Sequence, residues 1–517
     1  MSWNSEVRQR YFENEASSSE ESRVERINKI HSLGKLSARE RMGMLFDDGK
    51  YTEIEKYVVT HIDLEELNSK RIIGDGVIAG YGSINGVKCF AVSQDSTVRG
   101  GSGGETHLRK ICRTLEMAID NKCPMIFLCD SGGARIEEGI LSLDAYSRLF
   151  YLNTKASGLI PQIAAIMGNC AGGSSYSPAM CDFVFMTKVT SQFFITGPKV
   201  IEALTGEKVT MDELGGSEIH SRYSGQAHLV CENDSECIEK VKETIGYIYN
   251  VNINQNDKRN KTNEAIRAKE IEEIVPENTR HSYDVKEVIR RVLDSDSFFE
   301  FQEEFAPNIV IGFGKLNKRT IGIVANQPKV IGGALDCDAA DKCARFVRLC
   351  DCYNIPLLVL VDVPGFYPGK KQERKGILRH GCKMLYAFSE ATVPRVSLIM
   401  RKGYGGAYCA MNSKGIGADY VLAWPIAELA VMGADGAVDV ILKRQIENDD
   451  NPEKRRNMEV EKYREKYLTP YFAASCGMID KIILPEDTRQ TLIGVFDGFN
   501  NKTISNINEK KHGNISL

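Results

Sequence analysis

The chain has 517 residues, 42% hydrophobic and 26% charged, with a formal net charge of −4. That length supplies two or more domains with sizeable cores, and the near-neutral balance leaves no electrostatic footprint for nucleic acid or an anionic membrane. The 15 cysteines, an odd count, sit inside apolar runs, which reads as free thiols in a reducing compartment; no CxxC pair or histidine cluster points to a metal.

Residues 1–30 are acidic and lack an apolar core. They read as a helical or flexible extension of a cytoplasmic protein, neither a secretory signal nor a transit peptide. A first domain follows over 31–251. It opens on a glycine-punctuated hairpin (GYGSINGVK), then a helix (HLRKICRTLEMAID), a short apolar strand (MIFLCD) and a Gly-rich loop. A second helix (ILSLDAYSRLFYLNTKAS) leads to the strand IPQIAAI and a Gly-Gly turn at 172–173. The polar stretch 252–282 reads as a linker. A second domain over 283–500 repeats the series: GFGKLNKRT, ADKCARFVRLCDCY, LLVLVD, VPGFYPG, LRHGCKMLYAFSEAT, VPRVSLI and a turn at 405–406. Within it, 444–466 reads as a solvated helical excursion with a turn at Asn451-Pro452, and 501–517 as a flexible tail. The longest apolar runs, such as IPLLVLV, fit buried strands and are too short to span a bilayer.

The two halves match in order. Asp130 falls opposite Asp362, Gly172 opposite Gly405 and Asp182 opposite Asp419, at offsets of 232, 233 and 237. Steady offsets that drift by a few residues are the mark of a duplicated domain, and they are far too long for solenoid repeats. Strands alternating with helices at this spacing imply α/β units, each with a mostly parallel sheet. In such folds the loops at the strand C-termini build the site. Both Gly-Gly turns and both Gly-rich loops fall there.

A helix N-terminus presents unpaired amides and a dipole that favours negative charge. Glycine removes the Cβ that would keep an oxygen away. One such turn alone is more simply a tight packing corner. Two equivalent turns point to two reactants, each developing an oxyanion.

The passages SGGARIEEG, NCAGGSSYSPAMCDF, ANQPKVIGGALD, VDVPGFYPG, RHGCKMLYAF, RKGYGGAYCAM and AWPIAELAVMGADGAV, with GKLSARERMGMLFDDGKYTEI near the start, resemble the carboxyltransferase subunit of biotin-dependent acyl-CoA carboxylases. The resemblance runs over about residues 20–495 and is strongest to the propionyl-CoA carboxylase beta-chain branch. It implies two tandem crotonase-like domains and a homohexamer whose active sites lie between the first domain of one subunit and the second of its neighbour. It also implies a transfer with no side-chain nucleophile. Carboxybiotin on a separate carrier yields CO2, and the enolate of a short acyl-CoA, acetyl or propionyl, attacks it.

By motif position, the amides of Gly172 and Gly173 then serve the acyl-CoA enolate, and those of Gly406 and Ala407 serve biotin. Ser131, Gly132, Gly133, Ala134 and Arg135 form part of the CoA cradle, although Arg135 equally suits an ion pair with Glu137 or Glu138. Phe366 and Tyr367 are walls for biotin, and His380 is a hydrogen-bonded structural histidine. Cys409 stands near the acyl tail, where propionyl-specific relatives carry aspartate, so the acyl chain stays open. The basic loop KKQERKG at 370–376 is a second departure, read as solvated or as a contact for phosphate or an acidic carrier.

No biotin-carrying Met-Lys-Met segment, ATP-binding carboxylase region or zinc ribbon is found in the sequence. A biotin carboxylase and a biotin carrier are therefore expected in trans, with no metal, nucleic acid or membrane span. Two other readings are a biotin-dependent decarboxylase alpha subunit, such as that of methylmalonyl-CoA decarboxylase, which runs the transfer backwards, and a non-catalytic scaffold.

Overall fold

A computed structural model of the chain describes residues 4–19, 23–61, 71–251 and 270–502. It divides into two compact units, Met1–Ile253 and Asn254–Leu517. In the first, helices α1 (Ser5–Ser18) and α2 (Val24–Ser32) precede α3 (Ala38–Leu45). An Arg23–Asp95 ion pair at 2.9 Å and the Arg26 bond to the Thr97 carbonyl tie this N-terminal segment down. Ser37 caps α3 in a reciprocal capping box with Glu40.

The first sheet holds β1 (Tyr51–Glu53), β2 (Val77–Ile84), β3 (Val87–Gln94), β4 (Met125–Ser131), β5 (Gln162–Ala171), β6 (Phe183–Thr187), β7 (Gln192–Phe194) and β8 (Leu229–Cys231). Its order is β1-β2-β3-β4-β5-β6-β8, with β7 also paired to β5. The β2–β3 hairpin is antiparallel, and from β3 onward the sheet is parallel. Helix α4 (Glu105–Asp120) crosses from β3 to β4, and α5 (Ile140–Ala156) from β4 to β5. Fully buried Leu108 and Leu115 of α4 join Val92 and Phe127 in the core. Truncating Leu115 to alanine costs about 2–5 kcal/mol.

The second unit repeats this plan with β9 (Phe299–Phe301), β10 (Ile309–Leu316), β11 (Arg319–Asn326), β12 (Leu357–Val363), β13 (Arg395–Tyr404), β14 (Tyr420–Ala423), β15 (Glu428–Ala430) and β16 (Lys481–Ile482). The order is β16-β14-β13-β12-β11-β10-β9, with β15 on β13. Helices α7 (Cys337–Cys352) and α8 (Ile377–Glu390) occupy the places of α4 and α5.

The duplication extends to the hairpin turns. Both turns use positive φ at two residues, 52° and 77° at Asn85-Gly86 and 50° and 68° at Asn317-Lys318. Such turns favour Asn and Gly, and a lysine there is strained. One carboxylate compensates in each: Asp47 accepts from both turn amides of the first hairpin, Asp294 from both of the second.

Two expectations change. The expected linker 252–282 lies outside the described residues up to 269, but its later part is integral to the second unit. Ile271 and Val275 are buried in that core, and the carbonyls of Pro276, Asn278 and His281 accept from the Arg401 guanidinium. No sequence pattern marks it, because two apolar residues carry the packing inside a charged stretch. The excursion is likewise only half solvated. Asn451 is the N-cap of α10 (Pro452–Tyr463), with Pro452 at its first turn. Val460 and Leu468 bury themselves with Tyr404, Val438 and Ile446 in a small separate core. The expected tail lies outside the described residues beyond Lys502.

Candidate functional site

In each unit the strand that leads into the Gly-Gly turn slips register just before it. Cys129 pairs with Ile166 and Ser131 with Cys170; in the second unit Val361 pairs with Ile399 and Val363 with Gly403. Each slip inserts extra residues in β5 and β13, and a buried aspartate sits inside each. Asp130 is held by Lys35 at 2.5 Å, Ser96 at 3.0 Å and Arg41 at 3.4 Å. Asp362 is held by Arg401 at 2.9 Å, Tyr283 at 3.1 Å and the Lys402 amide at 3.2 Å.

The same cationic clamp comes from different chain positions. Gly168 is the counterpart of Arg401, and a Cβ on it would lie 2.0 Å from an Asp130 carboxylate oxygen and 2.6 Å from the Lys35 ammonium. The glycine leaves room for the two cations that arrive from the N-terminal segment. Burial, with the Asp362 charge second, pushes the Tyr283 phenol well up, so it stays a donor to that carboxylate.

The slips deliver the turns. Gly172 adopts φ 58° and precedes α6 (Gly173–Ala179); Gly405 adopts φ 61° and opens α9 (Gly405–Ala410). The conformational counterpart of Gly172 is thus Gly405, and that of Gly173 is Gly406. This is the match that the 233-residue offset gives, and the expected donors Gly172-Gly173 and Gly406-Ala407 are one residue out of step with it.

One expected donor is already engaged, since the Gly172 amide donates to the Phe194 carbonyl at 3.1 Å. That bond continues the β5–β7 ladder and makes Gly172 a strut of the turn. The Gly173 amide opens α6, and those of Gly406 and Ala407 lie in the first turn of α9, where no intrahelical acceptor exists. Neither corner is sealed. Gly173 is half-buried, Gly406 is exposed, and a Cβ on Gly406 would meet nothing within 4 Å. Gly173 is tighter, with the Tyr146 ring 3.2 Å from its Cβ position.

The Gly-rich loop after β4 lies against this turn, since a Cβ on Gly133 (φ 105°) would stand 2.8 Å from the Ala171 carbonyl. Ser131 is buried, Gly132 exposed and Ala134 half-buried. Gly103 bridges the loop by donating to Gly133 and accepting from Arg135, which leaves the Ala134 amide outside the bridge.

Arg135 is not open to a ligand. Its side chain is 1% exposed, bonded to Glu138 at 2.7 Å, to Asp75 at 3.1 Å and to the Ser102 carbonyl at 3.0 Å. The ion-pair reading holds, with Glu138 rather than Glu137 and with Asp75 added. Desolvation raises the Asp75 carboxyl despite that guanidinium.

In the second unit Phe366 takes the place of Ala134 and makes the equivalent bridge to Leu335; Tyr367 is 44% exposed. Cys409 is exposed on α9, beside Tyr408, whose phenol burial pushes up to about 12. His380 binds Asp341 at 2.8 Å, with Lys383 on the same carboxylate. The basic loop is the short helix Lys370–Lys375, in which Lys375 pairs with Asp338 at 3.0 Å.

Two supports were missed in the sequence. The Tyr404 hydroxyl, one residue before the second turn, donates to Glu428, which Arg464 approaches at 3.5 Å from the excursion. The loops after β3 and β11 also lie on the site: Gly132 donates to the Gly100 carbonyl at 2.9 Å, and Gly333 abuts the Asp362 carbonyl. The shared V-x-G-G at 98–101 and 330–333, again 232 residues apart, was the available signal. Among the described residues no three His, Cys, Asp or Glu side chains gather as a metal site, and no helix is long and apolar enough to cross a membrane.

The carboxyl transferase domain family matches residues 29–515. The propionyl-CoA carboxylase carboxyltransferase subunit of Haloferax mediterranei is 47% identical, over 95% of this chain and 96% of that protein. The methylmalonyl-CoA decarboxylase subunit alpha of Propionigenium modestum is 44% identical, over 96% of each. The solved structure of transcarboxylase 12S, a hexamer with methylmalonyl-coenzyme A and methylmalonic acid bound, superimposes with a TM-score of 0.93 at 43% identity, covering 100% of this chain and 99% of that one. The two similar units are the crotonase-like pair of that structure. The chain therefore belongs to the carboxyl transferase domain family and is a carboxyltransferase.

Proposed function

We propose that the protein transfers CO2 between a biotin carried on a separate subunit and the α-carbon of a short acyl-CoA, propionyl-CoA first. The single observation that carries this is the pair of open, backbone-equivalent helix turns at Gly172-Gly173 and Gly405-Gly406. In the first unit the Gly173 amide, with that of Ala134, donates to the thioester oxygen as charge develops on it. Ser131, Gly132 and Gly133 supply close-approach backbone beside it. In the second unit the amides of Gly406 and Ala407 face an oxygen of a neutral ring.

The fit to that ring is physical. Open space lies over Gly406, and Phe366, Tyr367 and Ile331 offer apolar surface at half-exposed positions. Carboxybiotin, when bound, supplies the CO2 and the base that removes the acyl α-proton. No side-chain nucleophile is needed, and burial leaves His107, with its pKa lowered to about 3, a neutral structural group. The asymmetric walls sort the reactants; the shared amides serve both.

The proposed assembly is a homohexamer in the cytoplasm, working with a biotin carboxylase and its carrier. A decarboxylase alpha subunit is the second reading, favoured by the 44% identity to the Propionigenium protein. The test is incubation with free biotin and methylmalonyl-CoA or malonyl-CoA. Biotin-dependent CO2 release that disappears in Gly173→Val and Gly406→Val supports the proposal. A folded oligomer that turns over no acyl-CoA leaves only the scaffold reading. Reconstitution with carrier and membrane subunits separates the two directions of transfer.

A further inference from the structure

Because the units are duplicates, their corners can be compared residue by residue. The loop Val98-Arg99-Gly100-Gly101 has φ of 52°, 63° and 69° at its last three residues; Val330-Ile331-Gly332-Gly333 has 43°, 67° and 79°. Each loop lies behind its Gly-rich partner. A Cβ on Gly101 would stand 2.0 Å from the Asp130 carbonyl, and one on Gly333 2.6 Å from the Asp362 carbonyl. The backbone is therefore the same, and one side chain differs in kind. The second unit shows Ile331, 46% exposed; the first carries Arg99.

Arg99 is not held as a structural arginine would be. Its side chain is 14% exposed, and Nη1 lies 3.9 Å from a carboxylate oxygen of Glu137, beyond hydrogen-bond length. Glu137 itself is 54% exposed. Nη2 is buried with no hydrogen-bond partner among the described residues. Arg135, in the Gly-rich loop, has both terminal nitrogens engaged by Asp75, Glu138 and Ser102. A buried guanidinium edge without an acceptor is unfavourable, and its planar fork matches carboxylate or phosphate oxygens.

We infer that Arg99 is a binding residue for the phosphate-bearing part of the acyl-CoA, a role Arg135 cannot fill. Ile331 at the same place keeps the other corner apolar for an uncharged ring. The inference rests on the acyl-CoA reading of the first unit. Two sources of phosphate exist in such a ligand, the pyrophosphate and the ribose 3′-phosphate, and the experiment separates them.

The full oligomer is titrated calorimetrically with CoA, dephospho-CoA, propionyl-CoA and propionyl-pantetheine, as wild type, Arg99→Ile and Arg99→Lys. Isoleucine is compatible with this backbone, because Ile331 already adopts it. The expected result is a roughly tenfold rise in Kd for CoA and propionyl-CoA in Arg99→Ile, partly restored by lysine, with propionyl-pantetheine unchanged. An equal loss for dephospho-CoA assigns the contact to the pyrophosphate, and a loss confined to CoA and propionyl-CoA assigns it to the 3′-phosphate. Unchanged CoA affinity, or a parallel loss for propionyl-pantetheine, overturns the inference. Wild type that binds no CoA species overturns the acyl-CoA reading itself, which is a distinct outcome.

Discussion

Gly406 is a position where stability and activity can be separated. Its φ lies outside the left-handed region, it sits in the first turn of α9, and a Cβ there would meet nothing within 4 Å. Replacing glycine by alanine in such a place removes unfolded-state entropy and stabilises by up to about 1 kcal/mol. The same Cβ occupies the space from which an oxygen must reach the amide, and valine fills it further. Losing one preorganised donor costs about 3 kcal/mol of transition-state stabilisation, a hundredfold or more in kcat. Gly406→Ala is therefore expected to unfold at the same or a higher denaturant concentration than wild type, and Gly406→Val to fold while losing at least a hundredfold in biotin-dependent CO2 release from methylmalonyl-CoA. Paired denaturation curves and initial rates provide the assay. Gly406→Val within threefold of wild-type rate would refute the reasoning, because it would show that no reacting oxygen uses that space.

Other expectations follow from neighbouring residues. Tyr404→Phe removes the donor to Glu428 while keeping the ring in its small core; the KM for free biotin should rise severalfold with CoA affinity unchanged, and an unchanged KM would detach the excursion from the second corner. Cys409→Asp should reorder initial rates among acetyl-, propionyl- and longer acyl-CoAs, whereas an unchanged order removes Cys409 from the acyl pocket. Lys342 donates to the carbonyls of Gln302, Phe305, Ala306 and Ile309, whereas its counterpart Lys110 donates to Val77 alone. Two of the four oxygens, those of Gln302 and Ala306, keep backbone donors without it. Lys342→Met should then cost about 3–5 kcal/mol in urea unfolding and Lys110→Met about 1–3 kcal/mol; equal losses would contradict this accounting.

Much of the fold was legible because the duplication wrote it twice. Periodicity in HLRKICRTLEMAID and its counterpart, and apolar runs such as LLVLVD, placed helices and strands, and the constant offset identified corresponding corners. What stayed hidden depends on contacts distant in sequence. Gly172 looked like a donor because the strand β7 that accepts its hydrogen bond lies 20 residues on and is only three residues long. Arg135 was ambiguous because its partner Asp75 is 60 residues away. Charge density in the linker and excursion points to solvent, yet Ile271, Val275, Val460 and Leu468 suffice to anchor them. The offset already sets Gly172 opposite Gly405, so the one-residue step between the expected donor pairs, Gly172-Gly173 and Gly406-Ala407, was legible as well.

A crystal structure of the full oligomer with propionyl-CoA and biotin bound would measure the decisive distances. The thioester oxygen is expected within about 2.7–3.1 Å of the Gly173 nitrogen, and the biotin ureido oxygen as close to that of Gly406 or Ala407. A thioester or ureido oxygen held instead by side chains, more than about 4 Å from these amides, would contradict it.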